Sequence, residues 1–306
     1  MTPKPFQRIA IVGFGEVGGI FGHDLAESGI DVSIYDILLQ SPAAREAMLS
    51  KARECKVQAR ESLRDCVRDA ELVISAVTAS SATEVAGEAS AILGAGQVYL
   101  DLNSVSPQTK SRMAERIGQG EAQFVEAAVM AAVAPQRLKV PMLLGGHYAA
   151  ELAARLGTIG MNAKAASERI GVASAVKMCR SVVIKGLEAL AVESMFAARR
   201  YGAEEAVLAS LAATFPEMGW EKDLPDYLIS RVAEHGRRRA AEMREAAQAL
   251  RNVGIDPHMA RATAERQDWL VDEIAEQRID TRPGKKFSWR ALADAIANAT
   301  KSTQTG

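Results

Sequence analysis

Apolar, partly β-branched residues at positions 9–12 give way to glycines and then to apolar positions at helical spacing as far as Ser28 and Gly29. This order predicts a strand, a tight turn and a helix. Short apolar runs recur at 32–35, 72–77, 98–100, 124–129 and 142–144, with helical stretches between them. That alternation predicts an α/β domain over residues 1–167, built on a doubly wound parallel sheet. After Ser167 strand signals stop, and Ala-rich stretches interrupted at Pro216, Pro225, Pro257 and Pro283 predict an all-α domain over 168–306. Its opening helix, residues 173–200, has one glycine and no proline, with Val176, Val183, Leu187, Leu190 and Phe196 as the expected apolar face. At 1.5 Å per residue it would be roughly 40 Å long.

The 306 residues suffice for two domains, and 37 basic against 38 acidic residues give a formal charge of −1. A balance this even argues against a general polyanion binder, which needs many lysine and arginine contacts to phosphate. Neither nucleic acid nor membrane is therefore an expected partner. Cys55, Cys66 and Cys179 form no C-x-x-C pair, and His23, His147, His235 and His258 lie far apart, so no disulfide framework and no metal is expected. The first strand begins within ten residues of Met1, leaving no space for a signal peptide, and no apolar run has the length of a membrane span. A cytoplasmic protein is expected.

Gly13-Phe14-Gly15-Glu16-Val17-Gly18 is a G-x-G-x-x-G string placed between a predicted strand and a predicted helix. In that context it is the dinucleotide-binding signature of a Rossmann domain. Gly13 makes the turn, Gly15 admits a pyrophosphate, Gly18 lets helix and strand approach, and the helix N-terminus attracts the phosphates. Asp36 ends the second strand, where a carboxylate can accept from a ribose 2′-OH. A 2′-phosphate would be repelled there, and Ile37, Leu38 and Leu39 bring no cation, so NAD is expected over NADP. Val77, at the end of the run 72–77, joins the expected cofactor contacts.

Three further segments resemble the β-hydroxyacid dehydrogenase family, which includes 3-hydroxyisobutyrate, tartronate semialdehyde and 6-phosphogluconate dehydrogenases. Asp101-Leu102-Asn103-Ser104-Val105-Ser106-Pro107 resembles its D-x-S-T-x-x-P segment, and Phe124-Val125-Glu126-Ala127-Ala128-Val129 its F-V-D-A-P-V. Gly171 followed six residues later by Lys177 resembles its G-x-G-x-x-x-K. The resemblance spans residues 6–200. It implies that Asn103 and Ser104 line the space between nicotinamide and substrate, and that Lys177 is the catalytic proton shuttle. The chemistry agrees: oxidising an alcohol releases a hydroxyl proton as hydride leaves, and one amine can take it and return it. It implies a homodimer as well.

Departures from the family pattern sharpen the expectation. Ser181 stands where the family usually has an asparagine, one helical turn past the lysine, and is expected to hold the substrate hydroxyl, with Arg180 as a possible helper. Met130-Ala131-Ala132 replaces the family's S-G-G, so Met130 would build a more apolar substrate wall. Ile184 replaces the glutamate that assists decarboxylation, which favours simple dehydrogenation. In the helical part, which resembles that of phosphogluconate-dehydrogenase-like proteins, Arg237-Arg238-Arg239 offers guanidinium groups. Arg238 is the expected anchor for a substrate carboxylate, and the rival reading is a solvated face paired with Glu234, Glu242 and Glu245. Lys222 is a weaker candidate. The expected function is NAD-dependent hydride transfer with a 3-hydroxyacid or related hydroxyl compound. The alternatives are an imine reductase on the same fold, whose members generally lack the lysine, and a catalytically silent nucleotide-binding sensor.

Overall fold

A computed structural model describes residues 3–280 and 287–304, so the break expected at Pro283 lies outside the described residues. The chain divides into two compact units, residues 1–177 and 178–306. The first contains strands β1 (Arg8–Val12), β2 (Asp31–Tyr35), β3 (Gln58–Ala59), β4 (Leu72–Ser75), β5 (Val98–Asp101), β6 (Gln123–Val129), β7 (Met142–Gly145) and β8 (Ala163–Ser167). Between them run helices α1 (Glu16–Glu27), α2 (Arg45–Glu54), α3 (Leu63–Val67), α4 (Ala82–Ser90), α5 (Pro107–Gly118), α6 (Val133–Gln136) and α7 (Ala149–Thr158). The boundary between the units falls inside α8 (Val172–Tyr201), after Lys177. The second unit continues with α9 (Glu204–Thr214), α10 (Leu224–Asn252), α11 (His258–Glu276) and α12 (Trp289–Gln304).

The sheet order is β3-β2-β1-β4-β5-β6-β7-β8. Alternating residues feed opposite faces, as the pleat requires. Ile9, Ile11, Leu72, Ile74, Val98 and Leu100 join one buried cluster, while Ala10, Val12, Val73 and Tyr99 join the other. Chain order reverses between β1 and β4, and the crevice beyond the strand ends at such a point is where α/β sheets bind ligands. Pairing of Val12 with Tyr35 and with Ser75, and of Ser75 with Asp101, brings the ends of β2, β1, β4 and β5 level.

One correction concerns sheet direction: β6 and β7 are antiparallel, whereas the other pairs are parallel. Their connection holds only the four-residue α6 and a short 3-10 turn, too little helix to carry the chain back for a parallel strand. A second correction concerns α8. Val176, Val183 and Leu190, expected inside, are 42%, 70% and 55% exposed, while Phe196 is buried. The buried side of the helix instead carries Met178, Ser181, Lys185, Glu188, Val192 and Met195. Its charged members are paired within the second unit: Lys185 with Glu242 at 2.7 Å, and Glu188 with Arg239, whose Nε donates at 2.6 Å. Pairing is what makes these burials tolerable, and it also explains why periodicity of apolar residues misidentified the face.

Among the described residues no helix is long and apolar enough to cross a membrane, and no three His, Cys, Asp or Glu residues are grouped to hold a metal ion. The cysteines differ in accessibility. Burial pushes the Cys66 thiol up to about 12, whereas Cys179 is exposed. Because only the thiolate reacts, iodoacetamide at pH 8 is expected to label Cys179 in the native protein and Cys66 only with unfolding, as peptide mass spectrometry would read. Native labelling of Cys66 at the rate of Cys179 would contradict this placement.

Candidate functional site

The glycine string forms the turn from β1 into α1, and each glycine is needed for a different reason. Gly13 has φ +91°, and a Cβ there would lie 2.5 Å from the Ala76 carbonyl oxygen and 2.9 Å from Val77 Cγ1. A Cβ on Gly18 would sit 2.0 Å from the Gly13 oxygen. Gly15, the N-cap of α1, has no heavy atom within 4 Å of its added Cβ, so the space in front of it is open. Gly13 and Phe14 spend their N–H groups internally, on the Tyr35 carbonyl at 2.8 Å and the Asp36 carboxylate at 2.7 Å. The amides from Gly15 onward begin the helix and face no capping side chain. Phe14 itself is fully buried, so its ring belongs to the core; Glu16 is exposed and Val17 half-buried.

Asp36 organises the rim of this crevice. One carboxylate oxygen accepts from Phe14 N, and the other accepts from Leu38 N at 2.9 Å, capping a short 3-10 turn. Each oxygen retains a further lone pair. Ile37 and Leu38 beside it are 70% and 42% exposed and carry no charge.

Gly15→Ala is expected to weaken NADH binding by about tenfold or more by filling the phosphate position, and to cost some stability because φ −69° with ψ −145° lies outside the regions an alanine favours, although the space itself is empty. Gly18→Ala should chiefly lower thermal stability. Fluorescence titration with thermal melts separates the two effects, and a Gly15 variant binding NADH like wild type would contradict the assignment.

At the end of β5, Asp101 is fully buried and forms an ion pair with the equally buried Lys110 of α5, whose Nζ also donates to the Asp101 carbonyl at 3.1 Å. Asn103 donates Nδ2 to the other Asp101 oxygen and to Ser75 Oγ at 3.0 Å. Since a carboxylate only accepts, the amide orientation of Asn103 is fixed with nitrogen inward. Its Oδ1 is buried with no hydrogen-bond partner among the described residues, an acceptor waiting for a donor.

The three family-like segments meet in the first unit. Glu126 of β6 is fully buried, and its carboxylate accepts from Gly171 N at 2.6 Å, Ala173 N at 3.1 Å, Ser174 N at 3.3 Å and Ser174 Oγ at 2.7 Å. A side chain from a strand thereby caps the start of α8. Gly145 makes room for it, since a Cβ would lie 2.4 Å from Glu126 Oε1. Gly171, with φ +94°, brings its backbone against Pro107, 3.2 Å from an added Cβ. One and a half turns further along α8, Lys177 donates to Ser104 Oγ at 2.7 Å across 73 positions of sequence. Lys177 and Ser104 are half-buried, beside the buried Asn103.

Other expected site residues are placed less centrally. Met130 is half-buried and donates its backbone N–H to the Pro141 carbonyl at 2.9 Å. In the second unit, Ser181 is buried and accepts from Lys185 Nζ at 3.1 Å, while Arg180, Lys222 and Arg238 are exposed. Arg237 pairs with Asp268 and Asp272 on α11, and Arg239 with Glu188 on α8, rather than with Glu234, Glu242 and Glu245 as the rival reading of the arginine run had it. Helical neighbours could be counted from sequence, but partners on other helices could not. Glu126 as a cap and Lys51, which reaches the Phe14 and Gly15 carbonyls, were missed for the same reason.

Comparison with known proteins follows the same division of the chain. Residues 8–160 match the NAD binding domain of 6-phosphogluconate dehydrogenase, and residues 198–270 match a domain of unknown function, DUF1932. A conserved hypothetical protein from Sinorhizobium meliloti 1021 is 36% identical, with 97% of this chain and 98% of that chain covered, at a TM-score of 0.82. This chain belongs to the β-hydroxyacid dehydrogenase family. Conserved protein MTH1747, described as structurally similar to 3-hydroxyacid dehydrogenases, is 32% identical over 87% of this chain and 97% of its own, with a TM-score of 0.73. An uncharacterized 28.5 kDa protein of Methanothermus fervidus is 28% identical over 84% of this chain and 96% of its own length. The 3-hydroxyisobutyrate dehydrogenase of Mycobacterium tuberculosis shares the fold at 15% identity, with 95% and 99% coverage and a TM-score of 0.70. The first unit is thus an NAD(P)-binding domain of the kind found in this family's oxidoreductases.

Proposed function

We propose that this family member is an NAD-dependent dehydrogenase that moves a hydride between the nicotinamide and a 3-hydroxyacid or related hydroxyl compound, without decarboxylation. The observation that carries the reading is the Lys177–Ser104 hydrogen bond, which sets an amine beside Asn103 at the end of β5, next to the nucleotide crevice. The residues fit the cofactor on two counts: Gly15 leaves space that a Cβ would fill, and the buried Asn103 Oδ1 lacks a donor of the kind a carboxamide NH₂ supplies. The α1 N-terminus would hold the pyrophosphate, Asp36 the ribose, and Val77, Asn103 and Ser104 the nicotinamide end. When bound, the nicotinamide supplies or accepts the hydride.

Lys177 handles the proton: its amine takes it from the substrate hydroxyl during oxidation and returns it to the oxygen during reduction, with Ser104 holding the amine in place. For Ser181 the proposal is that its hydroxyl holds the substrate; Lys185 already occupies an acceptor site on Oγ, which leaves the Ser181 proton to donate. Met130 contributes apolar contact, and Arg180 and Arg238 are the proposed partners of the acid group. NAD is favoured over NADP because a 2′-phosphate would meet Asp36 with no cation at Ile37 or Leu38. The exposed Val176, Val183 and Leu190, seven apart on α8, are the proposed contact of a homodimer.

The test begins with fluorescence titration of NADH and NADPH. A panel of 3-hydroxyacids, their oxo counterparts, alcohols and imines follows, read by nicotinamide absorbance and by carbon dioxide release. Tighter NADH binding and turnover of a hydroxyacid without carbon dioxide are expected. Turnover of imines alone, or tight NADH binding with no turnover at all, would replace this reading by an imine reductase or a silent sensor.

A further inference from the structure

Lys51 of α2 sends its ammonium group back to the glycine loop, where Nζ donates to the carbonyl oxygens of Phe14 and Gly15, both at 2.7 Å, and lies 4.7 Å from the Phe14 ring centroid. These two carbonyls belong to the peptide units whose N–H groups are those of Gly15 and Glu16. In a planar trans peptide the C=O and N–H vectors point in opposite directions. A cation bound at both oxygen ends therefore turns the two N–H ends away from itself, and its field strengthens their positive poles. Those N–H groups open α1, in front of the empty space at Gly15.

Room for this arrangement comes from a residue outside the G-x-G-x-x-G string. Gly19 has no Cβ, and one built there would lie 2.8 Å from both Cε and Nζ of Lys51. Gly19 sits inside α1, where glycine is costly by about 1 kcal/mol relative to alanine. A glycine at an interior helical position, packed against a lysine tip, is accounted for by the space that tip requires.

We propose that Lys51, admitted by Gly19, is a positioning residue for the dinucleotide pyrophosphate: it fixes and polarises the Gly15 and Glu16 amides from behind, without contacting the cofactor's nicotinamide. This rests on the nucleotide half of the proposed function and adds the residue that sets affinity at that site. It also explains how a loop bearing the exposed acid Glu16 can receive a pyrophosphate, because the Lys51 charge offsets the Glu16 charge at the same turn.

The experiment uses the full-length protein and fluorescence titration with NADH, with ADP-ribose as a competitor that has the pyrophosphate but no nicotinamide. Lys51→Met is expected to raise the Kd for both ligands by roughly five- to thirtyfold. Gly19→Ala should raise both by a similar factor while leaving the thermal midpoint unchanged or higher, because it expels the ammonium group yet improves the helix. The decisive sample is the double variant, in which Gly19→Ala should add nothing to Lys51→Met. Wild-type affinity in Lys51→Met, a loss confined to NADH, or full additivity in the double variant would each overturn the assignment of Lys51. Failure of the wild-type protein to bind NADH at all would instead overturn the nucleotide reading, and the assignment with it.

Discussion

Lys177→Ala is expected to bind NADH within about twofold of wild type and to lose roughly 10²- to 10⁴-fold in turnover, the range supplied by a positioned proton-transfer group. Binding survives because the groups that hold the pyrophosphate and ribose do not include Lys177, whose hydrogen bond to Ser104 reaches the nicotinamide end alone. The loop glycines, Asp36 and Lys51 are tied to one another through β1, β2 and α2. Turnover falls because the amine that Ser104 holds is the only proton carrier assigned to the substrate oxygen. Ser104→Ala should cost less, since it loosens the amine without removing it. Steady-state kinetics on the hydroxyacid that the wild type turns over, beside the NADH titration, reads both effects. Unimpaired turnover in Lys177→Ala would remove the lysine from the chemistry.

Glu126→Ala is expected to have the largest effect on stability, about 3–5 kcal/mol, because it leaves buried donors without their carboxylate. Three backbone amides lose their acceptor together at the start of the helix that carries Lys177, and the Ser174 hydroxyl is left with the Gly171 carbonyl at 3.1 Å. For a unit of this size the thermal midpoint should fall by roughly 10 °C. Glu126→Gln keeps one acceptor oxygen but turns an NH₂ toward other donors, so it should fall between alanine and wild type. Turnover should drop further than NADH affinity, because α8 loses its anchor while the nucleotide loop is untouched. Calorimetry on the two variants, with an unchanged midpoint for alanine as the contrary outcome, decides the point.

The alternating strands and helices of the first unit were legible because parallel strands buried on both faces appear as short apolar runs. Leu72–Ser75 and Val98–Asp101 illustrate this. The edge strands β3 and β8 carry no such runs and went unseen. The nucleotide loop was legible because much of what its glycines answer to is local in sequence: positive φ at Gly13, contact of Gly18 with the Gly13 oxygen and open space at Gly15. What escaped were charges whose partners lie far along the chain. Glu126 looked like one position of an F-V-D-A-P-V match, yet its role is to cap a helix 45 residues later. Lys185 and Glu188 broke the apolar periodicity of α8 and are nonetheless on its buried side, because Glu242 and Arg239 neutralise them. Val176, Val183 and Leu190 satisfied the periodicity and are exposed. An ion pair between helices leaves no spacing signal, so these assignments required the fold.

The most direct measurement is a crystal structure of the full-length protein with NADH bound. The pyrophosphate is expected against the Gly15 and Glu16 amides, the carboxamide against Asn103 Oδ1, and the nicotinamide ring beside Ser104 with the Lys177 amine turned toward it. A dinucleotide bound elsewhere, or a ring remote from Lys177 with Asn103 Oδ1 still without a donor, would contradict the assignment of this crevice as the reaction site.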